Sequence, residues 1–212
     1  MEFGKLKDIS KVDFSMGTVP AHTNKLLKRL PSSTEKANLY CGCTGWGMKE
    51  WVGTYYPPKT KTKEYLYHYS RQFSTIELNT THYRIPDSQT IQNWYQLAEK
   101  NFKFAPKIPQ SISHSNDLGA YGNQIDLFCA SIIGLKEKLG TSFLQLPPNF
   151  SPNRISILEK FLSKFPTDEI PIPIEIRQEE RFKETNYIQL LLNLLSNHNV
   201  KTVITDVSGR RD

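Results

Sequence analysis

The segment Ile172-Pro173-Ile174-Glu175-Ile176-Arg177 (IPIEIR) puts three isoleucines on one face of an extended chain and Glu175 with Arg177 on the other. In a doubly wound sheet both faces of such a strand pack on helices, and the two charges have no water to meet. In a barrel the second face turns inward, and charges near its C-terminal end reach an open mouth. The same pattern recurs upstream. In FKFAPKI (102–108), Phe102 and Phe104 oppose Ala105 and Lys107; in FLQLPP (143–148), Leu144 and Leu146 oppose Gln145. In STIELNTTHY (74–83), Ile76 and Leu78 oppose Glu77 and Asn79.

Around these segments the chain alternates. Strand-like runs cover Asn38 to Thr44, Thr75 to Asn79, Phe102 to Ile108, Thr141 to Leu146, Ile172 to Arg177 and Thr202 to Val207. Helix-like runs cover Lys63 to Phe73, Ser88 to Lys100, Asn123 to Leu139, Pro152 to Phe165 and Glu184 to His198. Asp87-Ser88 and Ser151-Pro152 are local start signals for two of the helices. Such alternation predicts parallel strands with right-handed crossovers. The Gly42-to-Gly47 stretch lacks the glycine spacing of a dinucleotide fingerprint, so the polar second faces decide for an α/β barrel of the TIM type, (β/α)8. Residues 1–37 read as a basic N-terminal arm with one short amphipathic helix near Leu26, Leu27 and Leu30, and 38–212 as the barrel domain.

Composition sets wider bounds. With 212 residues the chain can bury a sizeable core. No apolar run reaches the roughly 20 residues of a membrane span, and MEFGKLKDIS lacks the apolar centre of a signal peptide; the expected location is cytoplasmic, with no membrane partner. Three cysteines form no disulfide framework, and Cys41 and Cys43 are too few for zinc. The net charge of +6 permits a phosphate or nucleic-acid partner, but the lysines are spread along the chain.

The ordered series Gly42-Cys43-Thr44-Gly45-Trp46, Trp51, Tyr56-Pro57, IELNTTHYRIP (76–86), Trp94, Phe104-Ala105-Pro106-Lys107, Ile112-Ser113-His114, Leu144-Gln145-Leu146-Pro147-Pro148, Glu175-Ile176-Arg177 and Thr205-Asp206 closely resembles the YecE-like family, domain of unknown function 72. The resemblance runs from about residue 38 onward and implies a TIM-type barrel, without implying a reaction. His82 departs from it, standing where many relatives carry phenylalanine. The ending also departs, because VITDVSGRRD (203–212) stops after the sixth predicted strand whereas family members continue through two more.

Gathered at the strand ends, Glu77, His114, Glu175 and Asp206 are the candidate acid–base groups, and Trp46, Asn79, Lys107, Gln145 and Arg177 the candidate ligand contacts. Arginine offers a planar fork for phosphate or carboxylate, and lysine a compact charge, so a small anionic or phosphorylated ligand is expected. An alternative is a metal-dependent phosphodiesterase acting on nucleic acid, in which the carboxylates and histidines would hold the ion. Lys107 and Arg177 would repel that ion and no HxH spacing occurs, so no residue is assigned as a metal ligand and no cofactor is named. A third possibility is a non-catalytic interaction protein in which the charges only brace the fold. An incomplete barrel exposes strand edges, so this 212-residue chain is expected to be a fragment that melts without cooperativity or associates. Gel filtration and thermal melting check this, and a cooperative monomer refutes it.

Overall fold

The computed structural model describes residues 38–177 and 185–207, together with Ser10, Thr18, 21–29 and 210–211. Three strands, β1 (Gly42–Cys43), β2 (Thr75–Leu78) and β3 (Lys103–Pro106), form one parallel sheet in that order. The register aligns Cys43 with Ile76, and Ile76 with Phe104. A second parallel pair joins β4 (Leu144–Gln145) to β5 (Ile174–Glu175), with Leu144 opposite Ile174 and Gln145 opposite Glu175.

Helices occupy the intervals. They are α2 (Tyr65–Tyr69), α3 (Thr80–Tyr83), α4 (Ser88–Leu97), α5 (Gln110–Ser113), α6 (Gln124–Ile132), α7 (Ile155–Lys164) and α8 (Thr185–Asn197). The start signals act as their chemistry dictates. The Asp87 carboxylate accepts the Thr90 N–H at 2.8 Å at the head of α4, and Pro152 opens the 3-10 turn that leads into α7. The sequence did not separate α3 and α5, single helical turns that directly follow β2 and β3.

The apolar faces of the strands build two cores. Ile76, Leu78 and Phe104 pack with Tyr56, Tyr69 and Phe102 in one; Leu144, Ile172 and Ile174 pack with Phe128, Phe161 and Leu191 in the other. Each such side chain removed from water contributes about 1.5–3 kcal/mol before entropy is counted. Tyr69 fastens the first edge. Fully buried, its hydroxyl accepts the Cys43 N–H at 2.6 Å and donates to the Thr75 carbonyl at 3.0 Å. Gly42 permits this approach, since a Cβ there would stand 1.9 Å from the Thr75 carbonyl oxygen.

The barrel expectation is corrected here. Among the described residues the parallel strands fall into a three-stranded and a two-stranded sheet, and no ladder closes them into a ring. Only the isolated bridges Phe104↔Leu139 and Lys107↔Phe143 lead from β3 toward β4, and Ile174↔Thr202 leads on from β5. The physical reason lies partly in proline. Pro147 and Pro148 follow β4, and Pro171 and Pro173 precede Ile174, withdrawing the N–H groups that longer ladders need. The predicted strand Thr202 to Val207 is likewise divided, because Thr202 bridges Ile174 whereas Asp206–Val207 (β6) pairs antiparallel with Arg210–Arg211 (β7).

Contacts divide the chain into a unit spanning 40–205 and a second comprising 1–39 and 206–211. The second contains α1 (Ala21–Arg29) and the β6–β7 pair. Most of the predicted N-terminal arm lies outside the described residues. No described helix is long and apolar enough to cross a membrane.

Replacing Tyr69 with Phe keeps the ring and leaves the Cys43 N–H and Thr75 carbonyl without this hydroxyl. Denaturant unfolding is expected to show a loss of about 1–3 kcal/mol, whereas Tyr67→Phe, at a side chain 42% exposed, changes little.

Candidate functional site

The period-two alternation that buries Leu144 and Ile174 turns Gln145 and Glu175 to the opposite face of their pair. One residue beyond β3, Lys107 bridges Phe143 in parallel register and is only 8% exposed. Its ammonium Nζ donates to Gln145 Oε1 at 2.9 Å, and Gln145 Nε2 donates to Glu175 Oε2 at 2.6 Å. Glu175 is buried, at 4% exposure. A relay of lysine, amide and carboxylate thus crosses the ends of three successive strands. Burial lowers the Lys107 pKa, and Glu77 and Glu175 oppose that shift while Arg177 adds to it.

Glu77 is half-buried on β2 and accepts a hydrogen bond from Asn79 Nδ2 at 2.9 Å. The backbone here is pinned by Thr81, whose hydroxyl lies 2.8 Å from the Leu78 carbonyl and 2.7 Å from that of Lys107. Arg177, two residues beyond β5, is half-buried, and its Nε is buried without a hydrogen-bond partner among the described residues. An unpaired buried N–H costs about 1–3 kcal/mol.

His114 terminates α5 and stands edge-on to His82 of α3, with ring centroids 5.5 Å apart. His82 Nδ1 lies 3.0 Å from the Ile108 carbonyl; a carbonyl only accepts, so Nδ1 carries the hydrogen and Nε2 is the lone-pair nitrogen of the neutral ring. His114 Nδ1 meets the Ser113 hydroxyl at 2.9 Å. Burial lowers both imidazole pKa values; Lys107 lowers both further, and His82 and Arg177 add to the effect on His114. The sequence marked His82 as a departure and grouped it with His114 only in the metal-dependent alternative. No local pattern links residues 82 and 114, whose meeting follows from the packing of α3 on α5.

Two other expected members have contacts of their own. Trp46 packs edge-on against Trp94 at 5.8 Å, and its carbonyl accepts the Tyr56 hydroxyl at 2.8 Å, so it belongs to an aromatic cluster on the first core. Asp206 opposes Arg211 in the β6–β7 pair and falls in the other unit of the chain. A groove of about 750 Å³ lies between α4 and α6, lined in part by Ile85, Ile91, Tyr95 and Leu127, and includes none of the residues above. Among the described residues no three His, Cys, Asp or Glu side chains are grouped to hold a metal. The cysteines are free, and burial pushes the Cys129 thiol up to about 11, away from thiolate chemistry.

The described fold is similar to that of crystal structures of DUF72 family proteins. The protein from Enterococcus faecalis V583 aligns with a TM-score of 0.65 at 23% identity, covering 79% of this chain and 60% of that one. The Thermotoga maritima MSB8 protein gives 0.63 at 24% identity, covering 79% and 64%. The chain belongs to the family described as "Protein of unknown function DUF72", which matches residues 40–212. It is 29% identical over 168 residues to UPF0759 protein YecE of Escherichia coli (strain K12), covering 79% of this chain and 59% of YecE. With UPF0759 protein YunF of Bacillus subtilis (strain 168) it shares 27% over 159 residues, covering 72% and 55%. The chain therefore spans somewhat more than half the length of these curated relatives.

The two depressed histidines give the stability a definite pH dependence. The unfolded chain takes up protons near the ordinary value of 6.5, and folded His82 and His114 do so only at lower pH. Their contribution is complete above 6.5 and is lost as pH falls through the folded values. Urea melts in ligand-free buffer are expected to show stability falling as pH drops from neutral to mildly acidic, with a shallower fall in His82→Phe.

Proposed function

We propose that this chain binds a small anionic or phosphorylated ligand at the C-terminal ends of its parallel strands, with Lys107 and Arg177 as the cationic contacts. The observation that carries the reading is the buried Arg177 Nε, which has no acceptor among the described residues. A guanidinium N–H in that condition gains a charge-assisted hydrogen bond when an oxyanion arrives. Lys107 supports the same reading: an ammonium has three donors, and its side-chain bond to Gln145 uses one. Gln145 and Asn79 fix the orientation of Lys107 and Glu77. Glu77, Glu175 and His114 are the acid–base groups beside the ligand. The nucleic-acid phosphodiesterase alternative has no comparable support, since the described residues offer no grouped metal-ligand set.

Calorimetric titration with inorganic phosphate tests the reading. Binding is expected in the unmodified chain, and Arg177→Gln is expected to weaken it about 10- to 100-fold, the worth of one charge-assisted hydrogen bond. Glu175→Gln separates this from a purely bracing role: a lower melting temperature, with phosphate bound in neither protein, assigns the network to stability alone.

A further inference from the structure

Among the described residues the charges of the strand-end cluster balance before any ligand arrives. Lys107 and Arg177 carry two positive charges, and Glu77 and Glu175 two negative ones. Both glutamates act on Lys107, so its charge is already answered within the protein. A frame with no net charge holds a singly charged anion poorly and a doubly charged one worse, unless further positive charge is supplied.

The histidine pair is placed to supply it. His82 and His114 meet edge-to-face at 5.5 Å, with His82 locked by its Nδ1–H on the Ile108 carbonyl and His114 set against Ser113. In each ring, protonation turns the remaining nitrogen from acceptor to donor. The neighbours of the pair are unequal in sign. Tyr83 stands edge-on beside His82 at 5.4 Å, His82 is bonded to the carbonyl of Ile108, the residue after Lys107, and the charge of Lys107 acts on both rings and that of Arg177 on His114. The charges that act on the rings are these two cations, while Glu77 and Glu175 act on Lys107. The pair therefore stays neutral near neutral pH, and an incoming anion beside Lys107 and Arg177 reverses the balance it experiences.

We infer that His82 and His114 are additional ligand-binding residues of the anion site, that they take up protons from solvent when the ligand binds, and that the ligand class is a tetrahedral dianion such as a phosphate monoester. This rests on the anion-binding reading and adds three things to it: His82 as a contact, proton uptake on binding, and a dianion as the occupant. The uptake moves protons only. Each imidazole that gains one becomes an imidazolium, and the buffer supplies it. Affinity then rises on mild acidification by about tenfold per pH unit for each proton taken up.

The test is titration with inorganic phosphate across neutral to mildly acidic pH, in buffers of contrasting ionisation enthalpy, on the unmodified chain and on His82→Phe and His114→Gln. Phosphate titrates in this range itself, so the quantity read is proton uptake in excess of the variants. Histidine ring resonances of the unmodified chain, followed against pH with and without phosphate, give a second readout that needs no folded variant. Excess uptake, together with two of the five histidines titrating at higher pH when phosphate is present, supports the inference. Phosphate bound with equal uptake in all three proteins, and with no histidine titration moved, overturns the inference while the anion site stands. Absence of phosphate binding at every pH overturns both.

Discussion

Keeping a lysine ammonium under the surface is the constraint around which the strand ends are arranged. Lys107 is almost fully buried, and a charge taken from water costs several kcal/mol unless hydrogen bonds and opposite charge answer it. Gln145 is the means. Its amide accepts from Lys107 and donates to Glu175, so one side chain transmits a negative charge to a cation that forms no direct ion pair with it among the described residues. The relay also does mechanical work. Lys107, Gln145 and Glu175 belong to the ends of three successive strands, between which continuous backbone pairing lapses after β3 and resumes at β4. Side-chain hydrogen bonds hold together what an unbroken ladder would hold elsewhere.

That double duty explains why bracing and binding are not competing descriptions of these residues. A buried polar network is stable only if its members are satisfied, and one member here is not. Among the described residues Arg177, two residues past Glu175, leaves Nε without a partner. A purely structural network gains by satisfying that group, whereas a receptor keeps it ready for a ligand oxygen. Local dissatisfaction beside a well-satisfied relay is the expected signature of a site, since function commonly retains strain that packing alone would remove.

Much of this was legible in period-two patterning. IPIEIR placed Ile174 against the core and Glu175 on the other face, and FLQLPP did the same for Leu144 and Gln145; parallel register then brought Gln145 opposite Glu175. Closure was not legible. Whether successive strands join depends on ladder length, and Pro147, Pro148 and Pro173 shorten the ladders in a way that face alternation does not register. Asp206 looked like the end of another parallel strand because its neighbours are β-branched, yet it pairs with a segment a few residues further on. Trp46 shows a third limit. An aromatic residue in a loop after a strand serves equally as a stacking platform or as core, and Trp94 decides for core only in three dimensions. His82 was visible as an oddity, but its meaning required α3 to lie against α5.

The placement of positive charge bears on what the site selects. The chain as a whole carries +6, yet among the described residues the strand-end cluster of two cations and two carboxylates has none to spare. A surface of excess lysines attracts any polyanion and is screened by salt, which gives affinity without discrimination. A balanced cluster rejects anions by default, because an incoming charge meets Glu77 and Glu175 as well as Lys107 and Arg177. Discrimination then falls to groups that change state with the ligand. In the proposed reading the two imidazoles are such groups, because burial and the charges of Lys107 and Arg177 disfavour their protonated forms. An anion with one diffuse charge offers little reason for them to protonate; a compact dianion offers two. Specificity of this kind is a difference between two binding energies, and here the unfavourable element is already in place in the carboxylates.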